Sequence, residues 1–158
     1  MATEEQKKAN QLRLANLTLF GITAGFWELL GDTALAIGPQ IGEQVLKVME
    51  KEMGLEIAGE KPEEVLTEIA RLFVDEFGFA SNIEVVTEGN TITMKVRNCL
   101  NTSLTDRLME AGVEKPFICP IMNSGFVAMR RLGIKAHPDV VKWTEGNGSI
   151  ITFRLTGS

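Results

Sequence analysis

A chain of 158 residues with a formal charge of −5 and 44% hydrophobic residues has the size and balance of one soluble domain built on one core. Lys and Arg nowhere form a block, which disfavours nucleic acid or an anionic membrane surface as a partner, because phosphate binding needs clustered cations. One histidine and no tyrosine remove most catalytic arrangements built on imidazole, and two cysteines are too few for a disulfide framework.

The opening Met-Ala-Thr-Glu-Glu-Gln-Lys-Lys is polar and charged, unlike a secretory signal, so a cytoplasmic location with reduced thiols is expected. Residues 3–19 read as a helix, with Leu12, Leu14, Leu17 and Leu19 apolar and Lys7, Lys8 and Arg13 polar. Residues 1–18 are a candidate dimerisation arm; the alternative is a cover over the chain's own core. The apolar stretch from Leu14 to Ile37 is interrupted by Gly21, Gly25, Glu28, Gly31 and Asp32, which argues against a membrane span.

Phe20–Trp27 reads as helix or a helix junction, and Gly31-Asp32 marks a break, with Asp32 or Thr33 as an N-cap. A helix to Met53 comes next, striped by Ala36, Ile37, Ile41, Val45, Leu46 and Met49. Pro39 should kink it or start a second helix. Gly38 and Gly42 leave a flat face, which either admits another helix closely or makes room for a ligand. Pro62 opens the next helix, lined by Val65, Leu66, Ile69, Leu72, Phe73 and Phe77 and stopped by Gly78.

The hydrophobic period then falls to two. Asn82–Glu88 and Thr91–Asn98 form a hairpin about Gly89-Asn90. Ser103-Leu-Thr-Asp106 resembles a capping box opening a short helix. Cys119-Pro120 starts another, closed by Gly133. His137-Pro138 reads as a linker, and a second hairpin runs from Val140 to Leu155 through a glycine-rich turn. Two hairpins and helices on one face make an α+β domain spanning residues 1–158, helical in its N-terminal half.

The chemistry on offer centres on Cys99 and Cys119, which end a strand and begin a helix. Thiolates suit zinc, with His137 as a third donor, yet the paired spacing of a zinc site is missing. Buried packing is the simpler reading for both thiols. A helix N-terminus favours the Cys119 thiolate unless apolar surroundings seal it. Arg130 and Arg131 with Lys135 suggest a small carboxylate-binding cluster, or charges favourable to a helix C-terminus. No phosphate loop or dinucleotide fingerprint is present.

The run E-L-L-G-D-T-A-L-A-I-G-P-Q-I-G-E-Q-V-L, the hairpin into V-R-N-C, then F-I-C-P-I-M-N-S-G-F-V-A and the closing W-T-E-G-N-G-S-I-I-T-F-R-L resemble the 4-vinyl reductase domain family over about residues 28–155. The resemblance implies a small-molecule-binding α+β domain of the archaeal hydrocarbon-binding type. It also implies a fold shared with haem nitric-oxide-binding domains and with the palmitate-holding subunits of the TRAPP tethering complex. Cys99, Cys119, Gly38, Gly42 and Gly125 match the family's cysteines and glycines. Many relatives carry further cysteines in the last hairpin, where this chain has Trp143, Ile150 and Ile151, which weakens a metal site.

The resulting expectation is a homodimeric, non-enzymatic domain that holds a small apolar ligand (lipid, hydrocarbon or tetrapyrrole-like) in an internal cavity, in a sensory or regulatory role. Its walls would be Phe26, Trp27, Ile37, Gly38, Ile41, Gly42, Phe73, Phe117 and Phe126. The alternatives are a metal or redox sensor using Cys99, Cys119 and His137, with zinc as the cofactor, and an assembly module in a larger complex. A reductase ranks last, since no nicotinamide site is recognisable.

Overall fold

A computed structural model describes residues 1–157. The elements in chain order are α1 (Glu4–Leu30), α2 (Gly38–Lys47), α3 (Pro62–Asp75), β1 (Asn82–Glu88), β2 (Thr91–Arg97), α4 (Thr102–Glu110), α5 (Pro120–Arg131), β3 (Ala136–Trp143) and β4 (Gly148–Leu155). A 3-10 stretch, Gly31–Ile37, joins α1 to α2, and a π-helical turn, Val48–Glu52, extends α2.

The N-terminal helix continues through Phe20–Trp27, so that stretch is helix and not a junction. Its start is a capping box: Gln6 N donates to Thr3 Oγ1 at 3.2 Å and Thr3 N donates to Gln6 Oε1 at 2.8 Å. It then runs for 27 residues. Gly21 and Gly25 each cost only about 1 kcal/mol in a helix, and no proline intervenes. The break waits for Gly31, at φ +54°. Asp32 and Thr33 do not cap the 3-10 stretch; Leu30 occupies that place with no side-chain bond. Pro39 lies in the first turn of α2, so it starts that helix and does not kink it.

Two further boundaries differ from expectation. β3 begins at Ala136, so His137 and Pro138 belong to the strand. The proline is tolerated because β3 is an edge strand with β4 as its sheet neighbour. The capping box at Ser103 is not made: α4 starts at Thr102, after Asn101, with no side-chain cap bond. Asp106 instead ion-pairs with Lys142 through its buried Oδ1. The Thr102 hydroxyl lies 2.9 Å from the carbonyls of both Cys99 and Asn147, tying the start of α4 to the last hairpin.

The four strands form one antiparallel sheet in the order β1-β2-β4-β3. Each hairpin pairs within itself, and β2 joins β4 with Ile92 opposite Phe153 and Met94 opposite Ile151. Ile92, Met94, Val96, Ile151 and Phe153 are wholly buried with Leu66, Ile69 and Leu72 of α3 and Ile121, Val127 and Met129 of α5 in one core.

Gly42 and Gly38 let α2 lie almost on the backbone of α5. A Cβ at Gly42 would come 2.2 Å from the Asn123 carbonyl oxygen, and one at Gly38 would come 2.6 Å from Asn123 Oδ1. Gly125 works from the other side of α5, where a Cβ would meet Leu66 at 2.7 Å and Phe153 at 3.1 Å. Ion pairs finish the same contact: Arg131 reaches Glu43 and Glu50, both at 3.0 Å, and Arg130 reaches Glu43 at 3.2 Å. The hydrogen bond from Arg131 holds the Glu43 carboxyl below the usual carboxylate range. The Arg130-Arg131 cluster is thus engaged by the chain's own carboxylates.

Gly42→Ala is expected to lower stability by about 1–3 kcal/mol, the range for overpacking a tight contact. Gly21→Ala, where no atom lies within 4 Å of the new Cβ, should not lower it. Chemical denaturation of both variants checks this; equal midpoints would show that the α2–α5 approach is not under tight constraint.

Candidate functional site

The described surface holds two features of interest around α5, a small thiol cavity at its start and a larger apolar cavity along its side.

The two cysteines share the thiol cavity. Cys99 lies just beyond β2 and Cys119 is the N-cap of α5. Both line a space of about 30 Å³ with Phe79, Leu104, Leu108 and Val140. That is room for one or two waters at most. Burial pushes the Cys119 thiol up to about 12, with Cys99 adding to the effect and the backbone N–H groups of Met122 and Ile121 opposing it. Burial raises Cys99 too. The helix N-terminus therefore does favour the Cys119 thiolate, but desolvation is the larger influence. Both thiols are held protonated near neutral pH.

The apolar cavity measures about 250 Å³ and opens between the start of α2, the side of α5 and the edge strand β3. Phe117, Met122, Phe126, Pro138 and Val140 supply its walls, and Leu35, Ala36, Gly38 and Pro39 close one side. Asn123 reaches it from α5 with only 4% of its surface exposed. Lys115 and Asp139 stand at its rim, 3.6 Å apart and paired with each other.

The nine residues expected to form one ligand wall do not gather in one place. Gly38, Phe117 and Phe126 line the apolar cavity. Trp27 stacks on Phe117 with ring centroids 6.0 Å apart, and Ile37 packs in the same small cluster under α1. Gly42 is taken up by the α5 backbone. Phe73 lies in the main core against Phe77 and Phe79, both at 5.6 Å. Ile41 is half-buried outside the cavity lining, and Phe26 is exposed on α1. Of the three suggested metal ligands, Cys99 and Cys119 share one cavity while His137 lines the other. Sequence reasoning misses Met122, Asn123 and Val140 as wall residues. A signal exists for Asn123, a polar residue that follows the apolar Ile121-Met122 in a helix.

A third feature is α1 itself, in which Thr23 is the buried residue. Phe20, Ala24 and Trp27 dock it onto Leu104, Leu108 and Phe117. Leu12, Ala15, Leu19, Ile22, Phe26 and Leu29 are exposed, Ile22 at 53% and Leu29 at 82%. Their spacing alternates three and four, the a/d seam of a helix pair. This seam is legible in the sequence once residues 3–19 and Phe20–Trp27 are taken as one helix. By length and composition alone, the helical run Glu4–Glu52 is also apolar enough to cross a membrane.

The fold has solved counterparts. It is similar to a trafficking protein particle complex subunit 3 from Naegleria fowleri, covalently bound to palmitic acid, with a TM-score of 0.60 and 15% identity over 91% of this chain and 94% of that one. At that identity the likeness establishes an α+β fold shared with these tethering-complex subunits. The chain belongs to the family described as "Putative rubredoxin C-terminal domain", whose model matches residues 15–156. It is also 25% identical over 116 residues to an uncharacterized protein of Methanocaldococcus jannaschii, covering 73% of this chain and 69% of that one.

The rubredoxin name raises a thiolate-held metal. Structural zinc and iron–sulfur centres take about four ligands, mostly Cys and His. Among the described residues no group of three or more His, Cys, Asp or Glu side chains could hold an ion. The residues present do not fit a metal centre.

The raised Cys119 pKa gives a pH dependence of known sign. Between an ordinary thiol value of 9.0 and about 12, the unfolded chain loses the Cys119 proton and the folded chain keeps it. The unfolded state then binds fewer protons, so stability falls as pH rises across that window. Urea unfolding of the wild type and Cys119→Ala between pH 8.5 and pH 10.5 should show a steeper loss in the wild type. Parallel losses would mean that the thiol is not sealed.

Proposed function

We propose that this is a single small-molecule-binding domain, without catalytic machinery, that holds a compact apolar ligand in the cavity between α2, α5 and β3. The observation that carries this reading is the cavity itself: about 250 Å³, mainly apolar, and bounded by rigid elements with a few polar groups. The palmitate held by the Naegleria subunit lends support, since it places an apolar ligand in a protein of the same fold. Size then refines the ligand. Benzene occupies an engineered cavity of about 150 Å³, so this one suits roughly ten non-hydrogen atoms, fewer than the about eighteen of palmitic acid. Kinship with the 4-vinyl reductase domains, a sensory role and a cytoplasmic location belong to the same reading.

Naphthalene has about the right number of atoms for that volume and is fluorescent. It should bind saturably to the wild-type protein and lose at least tenfold in affinity to Ala36→Trp, which fills the cavity from an exposed lining position. Equal binding by both proteins, or none by the wild type, would overturn the reading.

A second reading, assembly, is favoured by the exposed seam on α1. A second copy of this chain is the occupant proposed. Antiparallel self-pairing sets Leu12 against Leu29, Leu19 against Ile22, and the small Ala15 against the large Phe26. The flanking Asn16, Thr18, Thr23 and Gly25 carry no charge to repel their own copies. Sedimentation should give a dimer for the wild type and a monomer for Leu19→Glu/Ile22→Glu. A wild-type monomer, or flotation of the wild type with neutral phosphatidylcholine vesicles, would contradict self-pairing.

A further inference from the structure

We infer that the natural ligand of the apolar cavity is an uncharged compact molecule carrying one hydroxyl or N–H donor, which it gives to Asn123 Oδ1. This rests on the binding reading above and names the class of ligand.

The Asn123 amide is oriented by its partner. Nδ2 donates to the Phe117 carbonyl at 2.9 Å. A carbonyl oxygen can only accept, so the nitrogen must face it, and the oxygen end is fixed on the other side. There Oδ1 lies beneath Gly38, within 2.6 Å of where a Cβ would stand, and both residues line the cavity. Among the described residues no group donates a hydrogen bond to this oxygen. It is not among the fully enclosed polar atoms that lack a partner, so it retains a little access. Asn123 thus offers one aligned acceptor from a side chain that is 4% exposed.

A buried amide usually has its partners. Leaving an acceptor beside apolar walls costs free energy that a ligand donor recovers. The charge of the ligand is set by the rim. Lys115 and Asp139 pair with each other at 3.6 Å, so neither is left free for a carboxylate or an amine, and His137 is the remaining polar side chain of the lining besides Asn123, exposed on β3. Phe117, Met122 and Phe126 add apolar surface only. A hydroxyl on an aromatic or short aliphatic body meets these conditions.

The test compares three probes of nearly equal size on the wild-type protein: 2-naphthol, 2-methylnaphthalene and 2-methoxynaphthalene. The first has a donor, the second has neither donor nor acceptor, and the third only accepts. 2-Naphthol should bind roughly three- to tenfold tighter than either of the others, the range for one net hydrogen bond. In Asn123→Leu that preference should vanish while 2-methylnaphthalene still binds. Should the variant not fold, the Asn123 side-chain amide signals of the wild type serve in its place. They should shift with 2-naphthol and not with 2-methylnaphthalene. Equal affinity for all three probes, with binding intact, overturns the donor inference alone. Absence of binding by all three overturns the cavity reading beneath it.

Discussion

The arrangement depends on how closely α2 approaches α5. Two absent methyl groups, at Gly38 and Gly42, let one helix rest on the Asn123 main chain and side chain of the other. That contact brings Arg130 and Arg131 within reach of Glu43 and Glu50. It leaves the 3-10 stretch and Pro39 standing over the β3 edge, which is what encloses the apolar cavity. On the opposite side of α5, Gly125 admits Leu66 and Phe153 and ties the same helix to α3 and the sheet. A helix pinned from both sides is a rigid wall, and rigid walls keep a cavity open where a looser core would collapse into it.

Much of this is legible in the sequence, and the exceptions have physical reasons. The change of hydrophobic period at residue 82 and the Gly89-Asn90 turn locate the first hairpin, and Gly78 and Gly133 end their helices as expected. The glycines at 38 and 42 announce a close approach, but a sequence does not say whether a helix or a ligand comes near; here it is the helix. Helix α1 takes the continuous alternative over Phe20–Trp27 because two glycines without a proline do not stop a helix, and it breaks at Gly31 as expected. Pro138 suggests a linker because proline cannot donate in a sheet, a rule that edge strands escape. The ligand wall is the least legible part. Size alone groups the aromatic residues together, whereas chain topology sends Phe73 to the main core, Phe26 to the surface and Phe117 to the cavity.

The two thiols show how two opposing effects are settled by magnitude. Position at a helix N-terminus favours a thiolate, and burial disfavours it. Burial is larger for Cys119, so a residue placed as if for reactivity is held neutral. With no third donor at hand among the described residues, the pair reads as packing beneath α4 more readily than as a metal or redox centre. The family name and the donor set point in different directions, and the donor set is the physical constraint.

The central claim is that the space beside α5 receives an apolar molecule. Met122 lines that space, while Met129 on the same helix is wholly buried away from it, so the two methyl groups are an internal comparison. A methyl spectrum of protein labelled at methionine, recorded with and without naphthalene, tests the claim directly. The account predicts a saturable shift at Met122 with little change at Met129. Shifts confined to Met109 or other surface methyls, or no saturable shift at all, would contradict it.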